Sequence, residues 1–425
     1  MRRLTLAVAA VVVAALPAAA AEAAAPVKRA YVVTLQQSVP DSDAAVEDLR
    51  REGRFETRFR YARALKGFAA DLDSKQLKKL RKDKRVDHVE PDVNYSAGEL
   101  VSTASGETTP PGVRRIGAAT ATSSRQASTT GVAVIDTGID LDHPDLAAVD
   151  GVNCVKPKKP ADDDNGHGTN IAGIVGARNL GEGFTGVAPG TRLYAVKVLD
   201  AKASGSLSAV LCGIEWVTAN ARALDIGVAN MSIGAPGGDD GATGGDSQHQ
   251  AICRSVAAGV TYVASAGNAG ENFAGTVPAA YPEVLAVTAM TDTDGIPGAD
   301  GEAPCVTGEA DDSFATYSNF GAGSAAAAHT VAAPGTCVTS TGLRSRASTF
   351  VGTSQAAPHV AGTVALCHGS GRSAGPCAGL SPGRVIERIR RDAADRVTLA
   401  NGFLGDTHRS FDGRLFGPLV AADAY

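Results

Sequence analysis

Beyond its first 25 residues, this chain of 425 residues has no apolar run long enough to cross a membrane. It also has no basic excess, because 40 Lys and Arg residues stand against 45 Asp and Glu residues, for a net charge of -5. Such a balance argues against nucleic acid or an anionic membrane as the main partner. The seven cysteines show no C-x-x-C spacing, which argues against zinc, and no repeat has a solenoid or propeller period. The remaining composition, 44% hydrophobic and 20% charged, indicates a globular protein with room for more than one folding unit.

The first 25 residues have the three parts of a secretory signal peptide. Arg2 and Arg3 precede an apolar segment that Pro17 interrupts, and small residues in A-x-A spacing follow. The alternative, a retained membrane anchor, would need a longer apolar stretch. We therefore predict a secreted, extracellular protein that has no membrane attachment once residues 1–25 are removed.

Export makes disulfides the expected state of the cysteines. Cys367 and Cys377 bracket the Gly/Ser/Pro-rich segment HGSGRSAGP and are the first expected pair. Closing a loop of this size stabilises a fold by roughly 2–3 kcal/mol. The odd number of cysteines leaves one thiol over.

Residues 29–96 are rich in charged side chains and differ from the rest of the chain. The patterns run in the order strand (AYVVTL), helix (DSDAAVEDLRREG), strands within FETRFRYARALKGFAADL, helix (DSKQLKKLRKD) and strand (RVDHVEPD). This order predicts a small ferredoxin-like α+β domain of the β-α-β-β-α-β type. Residues 97–111 form a Ser/Thr/Pro-rich linker that separates domains and is open to cleavage.

Residues 112–425 are predicted to form an α/β domain. Strands such as GVAVID, RLYAVKVL, IGVANMSIG and VTYVASAGN lack polar alternation, and helical patterns lie between them. Strands of this kind indicate a mostly parallel sheet with helices on both faces.

The stretch STFVGTSQAAPHVAGTVAL predicts a helix that is buried on all sides, with Ser354 at its entrance. A serine there has a free backbone N–H at the positive end of the helix dipole. Pro358 is expected in the early turn, where no helical hydrogen bond is lost. The structural alternative for Ser354 is an N-cap residue.

Three other polar residues have comparable positions. Asp136 ends a buried strand, His167 begins a small-residue helix between Gly166 and Gly168, and Asn268 follows another strand. Their alternatives are a turn carboxylate, an ordinary helix-terminal histidine and a left-handed turn residue. Taken together with Ser354, they supply a nucleophile, its base, an acceptor that orients the base, and an oxyanion donor.

The segments AVIDTGID, NGHGTNIAGIVG, NMSIG, VASAGN and GTSQAAPHVAG, in this order, resemble the subtilisin-like serine proteases, the subtilases, from roughly Arg114 to beyond Ala365. The segments ALKGFAADL and VDHVEPD resemble the inhibitory propeptides of secreted subtilases. The resemblance implies a subtilisin-like fold and a serine endopeptidase that forms an acyl-enzyme and is made as a self-processing zymogen. It further implies that Asp136 orients, His167 transfers the proton, Ser354 attacks and Asn268 holds the oxyanion.

The resemblance also implies substrate-binding positions. Those that pair with the substrate backbone are Ser232, Ile233 and Gly234, beside an edge kept open by Gly237 and Gly238. Those that form a wall of the specificity pocket are Ser265, Ala266 and Gly267. The small neutral wall implies an apolar or broad preference, and the alternative for both sets is plain β-edge packing.

The sequence departs from the family pattern at Asn170, where a histidine is usual, and at Gln355, where a methionine is usual. Neither position transfers the proton, so we expect effects on stability or oxidation resistance and not loss of activity. His359 is expected to be structural.

No cofactor is expected for the chemistry, but a structural calcium is compatible with the family. Asp145 matches an acidic calcium ligand, and Asn179 could add oxygens, although calcium needs six to eight. The run Asp162-Asp163-Asp164 is expected to be a solvated loop.

The resemblance suggests two further disulfides, Cys154–Cys212 and Cys305–Cys337, which would leave Cys253 unpaired. The expected partners are protein and peptide substrates and the chain's own propeptide, on a monomer.

Two rival functions stay open. An α/β-hydrolase esterase requires G-x-S-x-G with acid and histidine after the serine, whereas Asp136 and His167 precede Ser354. A secreted binding module that keeps the fold without the chemistry is opposed by the four filled catalytic positions.

Overall fold

The structure is a computed structural model that describes residues 28–92, 94–96, 100–101, 109–120, 124–180, 183–241, 245–298, 300–398, 400–407 and 411–425. The predicted signal peptide, residues 1–25, and most of the predicted linker, residues 97–111, lie outside the described residues. Among the helices that are described, none combines the length and the apolar character needed to span a bilayer.

The N-terminal unit has the predicted β-α-β-β-α-β order. Its elements are β1 (Arg29–Leu35), α1 (Ser42–Gly53), β2 (Thr57–Tyr61), β3 (Gly67–Leu72), α2 (Ser74–Leu80) and β4 (Val86–Pro91). The strands form an antiparallel sheet in the order β2-β3-β1-β4. Asp41 and Asp73 begin the two helices, because their carboxylates accept hydrogen bonds from backbone N–H groups of the first turn.

The larger unit is built around one sheet. Two short strands, β5 (Asn94–Ser96) and β6 (Leu100–Val101), precede it. The strands of the larger unit, eight of which form the main sheet, are β7 (Gly131–Asp136), β8 (Ala147–Asn153), β9 (Arg192–Lys197), β10 (Ser204–Ser206), β11 (Ile226–Met231), β12 (Ala235–Pro236), β13 (Thr261–Ser265), β14 (Thr276–Val277), β15 (Val284–Thr291), β16 (Ser313–Phe314), β17 (Thr330–Pro334), β18 (Val338–Gly342), β19 (Arg346–Phe350), β20 (Gly369–Ser370) and β21 (Ser373–Ala374). Its helices are α3 (Pro111–Arg115), α4 (His167–Gly176), α5 (Leu207–Asn220), α6 (Ser247–Ala257), α7 (Gly323–Ala327), α8 (Thr353–His368) and α9 (Pro382–Arg396).

The main sheet has eight strands in the order β16-β15-β13-β11-β7-β9-β8, with β17 also paired to β15. All of its pairings are parallel except that of β15 with β16. The carboxyl ends of β7, β11 and β13 therefore meet at one edge. In open α/β sheets this edge carries the ligand crevice.

Both faces of the sheet are covered, as predicted. Along β7, Val132 and Val134 belong to the apolar cluster under α4 and α8, whereas Ala133 and Ile135 belong to the cluster under α5 and α6. All six residues of β7 are buried. A strand buried on both faces cannot alternate polar and apolar residues, which explains the run GVAVID.

The N-terminal unit packs on α5 and α6. Val32, Tyr61 and Leu65 join the apolar cluster of these helices, and the Tyr61 hydroxyl donates a hydrogen bond to the Ser208 carbonyl (2.8 Å). Carboxylates also bind backbone N–H groups across the contact. Asp92 accepts from the N–H of Ser208 (2.5 Å), near the start of α5.

Two further carboxylates cross this contact. Glu90 accepts from the N–H of Ser247 (2.8 Å) at the start of α6. In the other direction, Glu215 of α5 accepts from three consecutive N–H groups of residues 62–64. Anions at helix N-termini are stabilising, so the N-terminal unit completes two helices of the larger one.

The three expected disulfides are confirmed: Cys154–Cys212, Cys305–Cys337 and Cys367–Cys377. Cys253 is the free cysteine, on α6. Burial raises the pKa of its thiol to about 11, so it is not a reactive thiolate at neutral pH.

Candidate active site

Asp136 and His167 form a buried pair. Asp136 is the last residue of β7, His167 is the first residue of α4, and neither is exposed. The Nδ1–H of His167 donates to Asp136 Oδ1 at 2.8 Å, which also accepts the Thr137 N–H at 2.7 Å. Nε2 of His167 has no hydrogen-bond partner in the described part of the chain. A carboxylate on Nδ1 fixes the ring orientation and leaves Nε2 as the acceptor.

The two glycines beside His167 allow the backbone to pack closely. Gly166 has a positive φ of 109°, in the left-handed region that favours glycine. A Cβ on Gly168 would collide with the Gly138 carbonyl oxygen. The start of α4 can therefore approach the turn after β7 closely enough for the Asp136–His167 contact.

The expectation of a solvated Asp162-Asp163-Asp164 loop is wrong for Asp163, which is 7% exposed. Its carboxylate accepts hydrogen bonds from Thr137 Oγ1 (2.9 Å) and from the N–H (2.9 Å) and hydroxyl (2.6 Å) of Thr169. Burial raises the pKa of Asp163, and these hydrogen bonds oppose the rise. Asp163 thus ties the turn after Asp136 to the first turn of α4.

Ser354 is the second residue of α8, as predicted, and is 4% exposed. Its Oγ donates to the Ser232 carbonyl at 3.1 Å. The expected early-turn position of Pro358 is wrong, because Pro358 lies inside the helix and cannot donate to the Ser354 carbonyl. The Ser232 hydroxyl binds that carbonyl instead, at 2.7 Å.

Asn268 lies across the entrance of α8. Its Oδ1 accepts hydrogen bonds from the Thr353 N–H and from Thr353 Oγ1, both at 2.8 Å. The Thr353 N–H needs an acceptor, so the amide oxygen of Asn268 must be the atom that faces Thr353. Nδ2 is therefore the donor available beside Ser354.

A cleft of about 420 Å³ opens at these residues. Of the predicted substrate-binding residues, Ile233, Gly234, Ser265 and Gly267 line it together with Asn268 and Ser354. Ser232 and Ala266 are buried behind it, and the Ala266 carbonyl accepts from Asn319 Nδ2 (3.0 Å).

The cleft also contains Glu271, an exposed carboxylate that the sequence analysis did not single out. Asn319 Oδ1 accepts the Glu271 N–H at 3.0 Å and thereby fixes the backbone at this position. The cleft is therefore not lined by small neutral residues alone.

The departures from the family pattern are all buried. Asn170 donates to the Ser348 carbonyl (2.9 Å) and so joins α4 to β19. Gln355 is fully buried, and neither atom of its amide has a partner in the described residues. His359 Nδ1–H donates to the Gln355 carbonyl (2.8 Å), in keeping with the expected structural role.

Asp145 is buried beside Arg178, Gly183 and Phe184. Its carbonyl accepts the Arg178 N–H (2.8 Å), and a Cβ on Gly183 would lie 2.9 Å from its Oδ2. Asn179 donates to Ser124 Oγ (2.9 Å). No group of three metal-ligating side chains among the described residues includes Asp145, and residues 181–182 lie outside the described residues.

Strands β5 and β6, which follow the N-terminal unit in the sequence, lie near the residues that flank the cleft and His167. β5 pairs antiparallel with β10, Gly205 opposite Tyr95, and also lies against β12. β6 pairs antiparallel with β19, Leu100 opposite Phe350, and the Phe350 ring is edge-on to His167 at 5.4 Å. Strand addition of this kind is a common way to hold an extended peptide.

Family models match two parts of the chain. The subtilase family matches residues 127–395, and the peptidase inhibitor I9 family matches residues 18–97. Subtilisin NAT of Bacillus subtilis subsp. natto is 34% identical over 347 residues, which cover 80% of each chain. Alkaline elastase YaB of Bacillus sp. (strain YaB) is 35% identical over 300 residues, 70% of this chain and 68% of the elastase.

A solved structure gives the fold. The crystal structure of a cold adapted subtilisin-like serine proteinase superposes with a TM-score of 0.52 at 24% identity, covering 73% of this chain and 99% of that one. The sequence similarity and the family match agree with the mostly parallel sheet described above. The chain therefore belongs to the subtilase family of serine peptidases and carries a peptidase inhibitor I9 domain ahead of the peptidase.

Proposed function

We propose that the chain is a secreted serine endopeptidase that cleaves protein and peptide substrates through Asp136, His167 and Ser354. The observation that carries this is the buried contact between Asp136 Oδ1 and His167 Nδ1 at the carboxyl end of β7, together with the bond from Ser354 Oγ to Ser232, the residue after β11. The three disulfides favour an oxidising compartment, in keeping with secretion. The proposed chemistry needs side chains and water alone.

In this mechanism Ser354 Oγ attacks the scissile carbonyl, and His167 Nε2 takes its proton and passes it to the leaving amine. The acyl-enzyme is then hydrolysed by water in the same way. Before attack, the Ser354 hydroxyl must turn from the Ser232 carbonyl toward His167. Asp136 stays ionised and stabilises the imidazolium.

Two donors would bind the oxyanion. The Ser354 N–H has no helical acceptor because it lies in the first turn of α8. Asn268 Nδ2 is the second donor, since Thr353 holds the other end of the amide. Donors that are fixed before reaction stabilise developing charge without reorganisation.

The peptidase would also process its own chain. β5 pairs with β10 and β6 pairs with β19, and residues 97–99 lie between β5 and β6 in the sequence, so we place the cut between Ser96 and Leu100. We therefore propose residues 1–25 as signal peptide, 29–96 as intramolecular inhibitor, 97–111 as processing region and 112–425 as a monomeric peptidase. The alternative is a permanent N-terminal domain.

We also keep Asp145 as a candidate ligand of a structural calcium. Its buried carboxylate is a suitable oxygen donor, but one carboxylate supplies a small part of the six to eight oxygens that calcium takes. Replacing Asp145 by Asn should then reduce the heat stability gained from calcium without changing turnover.

A serine-directed phosphonate tests the proposed nucleophile. Mass spectrometry of the labelled enzyme should place the adduct on Ser354, with loss of endopeptidase activity. An adduct at another residue, or full activity after labelling of Ser354, would refute the assignment.

A further inference from the structure

The loop between β15 and β16, residues 292–312, is rich in acidic residues and is separate from the cleft. Its acidic residues are Asp292, Asp294, Asp300, Glu302, Glu309, Asp311 and Asp312. None of its described residues lines the cleft that contains Ser354. The disulfide Cys305–Cys337 ties the loop to the segment before β18.

Three carboxylates of this loop converge. Asp292, Asp294 and Asp311 each offer an oxygen, and these three atoms lie within 4.8 Å of one another. The Asp292 side chain is fully buried and Asp311 is 3% exposed, whereas Asp294 is half-buried. Like charges at this separation repel strongly where water is excluded.

One carboxylate oxygen has no partner. Oδ2 of Asp292 accepts no hydrogen bond from any residue that the structure describes, although Oδ1 accepts the Gly295 N–H at 3.2 Å. A buried carboxylate oxygen without a donor is costly unless a cation approaches it. The other two carboxylates do not supply a donor when they are ionised.

Arg115 does not neutralise the cluster. Its guanidinium donates to Asp312 Oδ1 from Nε (3.0 Å) and Nη2 (2.7 Å), and Nε is 3.6 Å from Asp292. One positive charge therefore faces four carboxylates. Burial raises the pKa of Asp292 to about 8; Arg115 opposes the rise, and Asp311, Asp312 and Asp294 add to it.

We propose that Asp292, Asp294 and Asp311 form a calcium site, separate from Asp145. All donors are carboxylate oxygens, which suit a hard cation and not zinc or copper. Calcium bonds of 2.3–2.6 Å allow two ligand atoms to be as much as about 5 Å apart, so the observed spacing needs little rearrangement. Water and backbone carbonyls complete the coordination.

The site would act on the start of the peptidase. Gly295 packs against α3, where a Cβ would come within 2.9 Å of the Pro111 carbonyl oxygen and 3.0 Å of Arg114. Arg115 of the same helix binds Asp312. A cation that draws the three carboxylates together therefore holds the loop to which residues 111–115 are docked.

Calorimetric titration of calcium into the full chain tests the proposal. The Ser354→Ala background, stripped of metal, prevents self-digestion. Calcium should bind in the millimolar range or tighter and raise the thermal midpoint. Asp294→Asn should weaken this binding at least tenfold, because Asn keeps the contact with the Ile296 N–H but loses the charge.

Asp300→Asn is the matched control, since Asp300 is an exposed carboxylate of the same loop outside the cluster. It should bind calcium like the parent, and so should Asp145→Asn at this site. With a chelator present, Asp294→Asn should have a thermal midpoint at least as high as that of the parent, because the replacement removes one repelling charge. When calcium is added, the thermal midpoint of Asp294→Asn should rise less than that of the parent. Absence of calcium binding by the parent, unchanged binding by Asp294→Asn, or equal loss in Asp300→Asn would overturn the proposal.

Discussion

Among single residues, Gln355 has the least favourable surroundings next to the proposed nucleophile. Its amide is fully buried and makes no hydrogen bond with the described residues. A buried polar group left unpaired costs about 1–3 kcal/mol. The usual family residue, methionine, would remove that cost but would add an oxidisable sulfur.

Replacing Gln355 by Met should raise the free energy of unfolding by about 1–3 kcal/mol, because an apolar side chain of similar volume needs no partner. Urea unfolding in the Ser354→Ala background measures this change. In the active enzyme, the same replacement should introduce inactivation by peroxide. Gln355→Leu is the control, because it should also be stabilised but should keep its resistance to peroxide. If Gln355→Met and Gln355→Leu were both less stable than the parent, the explanation would be wrong.

Replacing Asn268 by Ala should lower kcat by about 10²–10³-fold, the range measured for removal of one oxyanion donor from a subtilisin. Asn268→Asp keeps the acceptor for Thr353 and loses the donor, so it should be nearly as slow. Steady-state kinetics with a peptide substrate gives both values. Normal turnover of either variant would exclude Asn268 from the oxyanion site.

The presence of Glu271 in the cleft predicts a substrate preference that the small residues of the pocket wall do not predict. A carboxylate in the cleft should favour Arg or Lys before the scissile bond. Glu271→Gln should reduce kcat/KM for such peptides by about fivefold, the size expected of an exposed ion pair, and leave Ala and Leu peptides unchanged. Equal effects on both substrate classes would mean that Glu271 does not contact the side chain.

At the scale of elements, α8 contains a buried histidine, His359, besides Gln355. Burial lowers its pKa to about 4, and its Nε2 has no partner among the described residues. A Cβ on Gly112 would lie 2.6 Å from that nitrogen, so helix α3, which contains Gly112, closes the space over it. The helix therefore holds this imidazole in its neutral form.

The free energy of unfolding should fall as the pH decreases from about 6.5 to about 4. The unfolded imidazole takes up a proton in this window and the folded one does not, so unfolding is favoured by acid. The contribution reaches about 3 kcal/mol. In the Ser354→Ala background, His359→Asn should show a shallower pH dependence of the urea midpoint than the parent. His88→Asn serves as the control. If the urea midpoint of His359→Asn varied with pH as steeply as that of the parent, the prediction would be wrong.

How far each element was predictable depends on what surrounds it. GVAVID and the run after Ser354 were recognised because burial on all sides leaves no polar residues in the pattern. The hairpin of β18 and β19 is rich in Ser and Thr, so its sequence does not differ from that of a loop. Three consecutive carboxylates are typical of a solvent-exposed loop, so the sequence does not predict the burial of Asp163. Its burial is explained by hydrogen bonds with Thr137 and Thr169, which the fold brings together.

At the scale of the whole molecule, the decisive contact joins the inhibitor domain to α5 and α6. Tyr61 enters their apolar cluster, and Asp92 and Glu90 bind N–H groups at the two helix starts. None of these contacts involves β5 or β6, the two strands that pair with β10 and β19 beside the site. Long-range contacts of this kind carry no local sequence signal, so the sequence predicted the domain but not its docking.

Replacing Ser354 by Ala should give a protein that keeps the inhibitor domain covalently attached. The wild-type chain should instead begin near residues 97–100, because β5 and β6, on either side of the proposed cut, are paired with β10 and β19. N-terminal sequencing of both purified proteins measures the difference. If the Ser354→Ala protein matured at the same bond without any other protease, self-processing would be wrong.

The docking contact separates cleavage from activation in time. Because Asp92, Glu90 and Glu215 keep their partners after a cut between residues 96 and 100, the first cut leaves the inhibitor in place. Activity then begins only when some molecule loses its inhibitor, and that molecule can digest the inhibitors of others. Appearance of activity should therefore follow a lag and then accelerate, and the lag should shorten as the enzyme concentration rises.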